Sequence, residues 1–196
     1  MSSSFNTEAF IKQHIENVRK HLQTIISLLF VRAWKHDASK LEEPELSLWK
    51  KMDEEPRYQY GTPEYTEKMA RWQRVFEYHY AKNRHHPEHF EGGISDMNLI
   101  DIIEMMCDWL GYKKVLTYSE ACEVVETQIK RYGISEELGQ IIKNTLDYYF
   151  TVIGGYDSSQ PAEYNIPEGQ VAELGLFKQN LALARKAYEP KVDILA

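Results

Sequence analysis

Apolar residues recur at three- and four-residue steps along nearly the whole chain. Phe10, Ile11, Ile15, Val18, Leu22, Ile25, Ile26 and Leu29 form one stripe of a helix that Asn6 or Thr7 can cap and that reaches about Trp34. A break at Asp37-Ala38-Ser39 precedes an acidic stretch, 41–45, that opens a short helix through Trp49. Pro56, Gly61 and Pro63 mark 53–63 as a loop, and Thr62 before Pro63 starts a helix to about Tyr80. A histidine-rich turn over 83–89 and Gly92-Gly93 follow. Ser95 or Asp96 is expected to cap a strongly apolar helix through Leu110, ended by Gly111. Thr117 to Glu120 reads as a capping box for a helix to about Tyr132, and Ser135 starts one to about Val152. After Pro161 and Pro167 a last helix is expected over 168–188. Period-two alternation between hairpin turns is missing, so strands are not expected. The pattern predicts an all-α, single-domain helical bundle over 1–196. Its chemistry is concentrated in 7–111, while 112–196 supplies covering helices, a substrate lid or an oligomer surface.

Composition narrows the partners. The 196 residues carry 30 acids against 23 Lys and Arg, a net charge of −7. An acidic chain with no long basic run lacks the footprint for gripping a nucleic-acid duplex or an anionic membrane. Small phosphorylated ligands remain compatible, because a bound cation supplies positive charge locally. No apolar run approaches the roughly 20 residues of a membrane span, and no secretory signal is visible at the start. Cys107 and Cys122 form no CxxC pair, so a reducing cytoplasm is the expected home.

The histidines and carboxylates are more telling. All seven histidines precede residue 90, and His79, His85, His86 and His89 fall close together. His36 and Asp37 are adjacent at a helix end, where imidazole and carboxylate can face one cation. The same dipeptide also suits a plain helix terminus, with a favourable cation and a turn-forming Asp. His14 and His21, seven apart, share one helix face and fit either a packed core or a ligand role. Asp101, Glu104 and Asp108 form an acidic stripe on an apolar helix. It is either a solvated face or a set of buried acids that need a partner such as a metal.

His14-Ile15-Glu16-Asn17-Val18, His36-Asp37-Ala38-Ser39-Lys40 and the later Asp108 resemble the motif order of the HD-domain metal-dependent phosphohydrolase superfamily. The similarity is closest to a phage and bacterial branch carrying His-Asp-x-Ser-Lys and Asn-x-His-His motifs, the latter matched by Asn83-Arg84-His85-His86. The resemblance implies that His14, His36, Asp37 and Asp108 hold one divalent metal, and that His85 and His86 hold a second or contact phosphate. It gives Lys40 the neutralisation of a phosphate oxygen, with Arg84 as a bidentate helper. Glu104 would orient water or a ligand, and His79 would act as general acid or as a further ligand.

The mixed nitrogen and oxygen donors suit manganese, iron, cobalt, nickel or zinc, as one or two ions. The expected function is hydrolysis of a nucleotide or other small phosphoester by a metal-activated water, in a monomer or homo-oligomer. The rival is a noncatalytic helical protein that retains a structural metal. A ferritin-like oxidase would need Glu-x-x-His pairs, and there are none.

Overall fold

The computed structural model describes residues 6–111 and 117–153. Among them are seven α-helices: α1 (Thr7–Lys35), α2 (Glu45–Asp53), α3 (Pro63–Arg71), α4 (Gln73–Lys82), α5 (Leu99–Leu110), α6 (Tyr118–Tyr132) and α7 (Glu136–Ile153). Three 3-10 turns, Ala38–Leu41, Pro87–His89 and Gly93–Asp96, punctuate them, and the described residues contain no strand. The fold is all-α, as the periodicity predicts. The helix expected over 168–188 lies outside the described residues. Among those residues no helix is long and apolar enough to cross a membrane.

The chain divides into two compact units, with the break after Trp34. The first contains nearly all of α1, where the Asn6 side chain accepts from the Ala9 amide at 3.0 Å and so caps the helix. None of its 29 residues is buried, and the apolar stripe from Phe10 to Ile26 is exposed. The helices that follow, α2 to α7, belong to the second unit.

The second unit, from Lys35 onward, is built around α5, α6 and α7. Ile102, Met105, Met106 and Trp109 of α5 pack with Ala121 and Val125 of α6, Ile134, and Ile142 and Leu146 of α7. Burying each large side chain contributes about 1.5–3 kcal/mol. Thr117 makes the predicted capping box with Glu120, and Gly133 ends α6 at φ 59, the left-handed region open to glycine. Thr62 and Pro63 start α3 as read.

Two boundaries differ from the periodicity. The helix expected from Pro63 to about Tyr80 breaks at Trp72, whose indole donates to Glu55 Oε1 at 2.8 Å while Arg71 holds Oε2 at 2.7 Å. The cap of α5 is Asn98 rather than Ser95 or Asp96, because those two residues belong to a 3-10 turn. Asn98 accepts from the amides of Ile100 and Asp101, and Asp101 returns a bond to the Asn98 amide.

Candidate metal centre

The centre begins where α1 ends. Asp37 takes the left-handed conformation, φ 54, and its carbonyl accepts from the Lys40 amide at 2.9 Å. Asp37 is thus a turn residue, and the turn brings His36 Nε2 within 3.7 Å of Asp37 Oδ2. Further donors come from α4 (His79), the following turn (His85, His86) and α5 (Glu104, Asp108).

Two overlapping sets of side chains bring their donor atoms within 4.8 Å of one another. One is Asp37, His79, His85 and His86; the other is His36, Asp37, His85 and Asp108. These residues could hold a metal ion. In the first set His79 Nε2 lies 3.0 Å from His86 Nε2 and 3.2 Å from Asp37 Oδ1, which is 3.5 Å from His85 Nε2. In the second His36 Nε2 lies 3.4 Å from Asp108 Oδ1 and 3.7 Å from Asp37 Oδ2.

Three imidazoles are anchored from behind by carboxylates. His79 Nδ1 meets Glu45 Oε1 at 2.7 Å, while His36 Nδ1 and His85 Nδ1 meet the same Glu104 oxygen at 3.1 and 3.2 Å. An Nδ1–H given to a carboxylate leaves the Nε2 lone pair pointing inward, the tautomer that a metal ligand needs. Asp37 Oδ1 and His85 Nε2 are buried without a hydrogen bond of good geometry. Stranding two such atoms costs roughly 1–3 kcal/mol each, and a cation between them would relieve it.

The electrostatics of the metal-free pocket follow from the same contacts. Burial works against ionising Asp37, yet His79 and Lys40 overcome it and hold the carboxyl well below the usual range. Asp108 is also lowered, its burial outweighed by the bond to His36. Burial, reinforced by His85 and His79, pushes His86 down to about 3, so its ring stays neutral. His36 is raised to about 10 by its bonds to Asp108 and Glu104. Its proton and the Lys40 ammonium, 2.5 Å from Asp37 Oδ2, add positive charge to the pocket.

That charge predicts a pH dependence. Because the folded pKa of His36 lies above the ordinary 6.5, its contribution to metal-free stability is complete below 6.5 and is lost as pH rises through about 10. A metal needs the deprotonated nitrogen, so the affinity of an ion held by His36 should climb over the same interval, with about one proton released from His36 when that ion binds at pH 7. Calorimetric titration in buffers of different ionisation enthalpy measures that proton, and a buffer-independent heat would contradict it.

The sequence-predicted residues divide clearly. His36, Asp37, His79, His85, His86 and Asp108 converge, with Lys40 on Asp37 and Glu104 behind His36 and His85. The acidic stripe of α5 is thus an inner face: Asp101 and Glu104 are buried. His14, like His21, is exposed on α1 and belongs to neither donor set. Arg84 is not free for a phosphate; it grips both oxygens of buried Asp101, at 3.2 and 3.0 Å, and lies over Phe90. His89 is taken up by the Tyr80 carbonyl.

Glu45 is the residue that the sequence reading lacks. It is buried at the start of α2, held by the Trp49 indole at 2.9 Å, and its partner His79 is 34 positions away. Glu45→Ala should weaken metal binding by about 10–100-fold, and Glu45→Gln, which keeps an acceptor, by less. Competition with a chelating indicator reads this, and a folded Glu45→Ala of unchanged affinity would refute it.

Residues 3–148 match the family described as "Family of unknown function (DUF5662)", and the chain belongs to that family. No curated protein and no solved structure matches it.

Proposed function

We propose that this DUF5662 chain is a metal-dependent phosphohydrolase acting on a nucleotide or another small phosphoester. Its cofactor in this reading is one or two divalent ions of manganese, iron, cobalt, nickel or zinc. The observation that carries the reading is the inward aim of three carboxylate-anchored imidazoles, His36, His79 and His85, at the two oxygens of Asp37. The motif order from His36-Asp37 to Asp108 supports the HD-domain resemblance, with His14 outside the donor sets.

A divalent ion in such a site lowers the pKa of coordinated water and polarises a phosphoryl oxygen. The chain's residues prepare for it. Asp37 and Asp108 offer anionic oxygens, and Glu45 and Glu104 fix the rings. The half-exposed Lys40 ammonium can turn from Asp37 to a phosphate oxygen. Burial and the inward Nε2 favour His79 as a ligand over a general acid. The net charge of −7 favours a small substrate over a polymer, and two unbridged cysteines suit the cytoplasm.

The rival, a structural metal in a noncatalytic protein, draws support from the burial of His79 and His85. Elemental analysis of the purified full-length protein, followed by a phosphoester screen with the metal found, separates the two. Metal-dependent turnover supports the hydrolase, and metal-dependent melting without turnover supports the rival. A protein that holds no metal and whose melting temperature no added ion shifts would overturn both.

A further inference from the structure

The stripe on α1 keeps a strict heptad. Ile11, Ile15, Val18, Leu22, Ile25 and Leu29 follow one another at alternating steps of four and three residues. That 3.5-residue period keeps one face of a helix turned toward a neighbouring helix along its whole length. The first five are 41–57% exposed, and α1 contributes none of the buried core residues. The geometry points to a second copy of this chain as the occupant of that face. Two α1 helices pack antiparallel in a two-fold symmetric pair centred on Lys20.

The spacing supplies the complementarity. Its steps read the same from either end, so an antiparallel copy meets it in register. Ile11 then lies opposite Leu29, Ile15 opposite Ile25 and Val18 opposite Leu22, each pairing made twice, with no polar residue in the seam. This is the self-complementary patch that a two-fold interface requires. Two helices of 29 residues packed along their length bury on the order of 1,500 Å², the size of a standard stable interface.

Direction follows from residue type and charge. A parallel pair would stack β-branched Ile11, Val18 and Ile25 on their own copies, at the heptad position where two-stranded coils favour leucine. Antiparallel packing mixes that position with the one held by Ile15, Leu22 and Leu29. In addition, α1 carries five Lys and Arg against two Glu, within a chain of net charge −7. The acidic remainder of each copy begins beyond Lys35. Antiparallel packing sets these two starting points about 45 Å apart, whereas parallel packing would bring like charges together.

Sedimentation equilibrium of the full-length protein tests the pair, and a reversible monomer–dimer equilibrium is expected. Leu22→Glu places a charge in two layers and should raise the dissociation constant about 100-fold or more. Gln13→Glu, on the opposite face of α1, should leave it unchanged. Circular dichroism checks that each variant keeps its helices. Cysteine cross-linking reads the direction, in protein carrying Cys107→Ser and Cys122→Ser. Copies with Ile11→Cys mixed with copies with Leu29→Cys should join by a disulfide under mild oxidation, and neither variant alone should. The two positions are about 27 Å apart along one helix, so a bond between them within one chain is out of reach. Where Leu22→Glu loses its helices, the cross-link decides alone. A monomer at every concentration would overturn the pair, and that is the result if residues 168–188 of the same chain cover the stripe. A dimer indifferent to a folded Leu22→Glu, or mixed copies that do not join, would also overturn it. Self-linking of Ile11→Cys would reveal a parallel pair and overturn the antiparallel one.

Discussion

Asp37→Asn should reduce the metal content of the purified protein from near-stoichiometric to near zero, and any metal-dependent turnover with it. The residue is the one donor, besides His85, common to both sets, and its two oxygens face different partners. Asn keeps the size and tolerates the left-handed conformation at φ 54, so the backbone should stand. What it removes is the anionic charge that draws in Lys40, His36 and His79. Asp37→Ala would add roughly 1–2 kcal/mol of backbone strain to the same loss of metal. The comparison is therefore informative. Metal analysis should give the same result for both variants, while the melting temperature should be lower for Ala than for Asn. Metal retained in a folded Asp37→Asn would contradict the ligand role.

Asp101→Ala is expected to be the most destabilising single change on the site's scaffold, by about 2–4 kcal/mol. Asp101 is fully buried, completes the capping box of α5 and accepts from two nitrogens of the Arg84 guanidinium, Nε and Nη2. Losing a helix cap costs about 1 kcal/mol, and losing a charge-assisted bond to a half-exposed Arg costs a further 1.5–3 kcal/mol. For a chain of this length that lowers the melting temperature by roughly 2–4 °C per kcal/mol. Arg84→Ala, which leaves the cap in place, should cost less. Thermal denaturation of the two variants, each stripped of metal, measures the difference; an Asp101→Ala as stable as the parent would refute this account of α5.

Much of this architecture was legible in the chain because its causes are local. The Thr117 capping box, Pro63 at a helix start and the α1 stripe each depend on residues within one or two turns. Ser95 and Asp96 are capping types as good as Asn98, and it is the tight turn at Gly93, φ 60, that moves the start of α5 to Asn98. The donors His36, Asp37 and Asp108 stood out by type and order. Whether the acidic stripe faced inward depended on helices packed from elsewhere. Glu45 gave no signal, since its meaning lies in a histidine 34 positions later. Arg84 looked available for phosphate for the same reason, its partner being 17 positions away.

The donors come from segments scattered between His36 and Asp108, and neither cysteine is bonded to another. An ion gripping both ends of that span would act as a crosslink. It would close a loop of roughly 70 residues that the unfolded chain must otherwise leave open, worth about 4 kcal/mol in the chain-entropy view. Without a disulfide, the second unit would thus have a reversible staple. Its resistance to proteolysis would follow the supply of metal, and a chelator would act on it as a reductant acts on a disulfide-bonded protein.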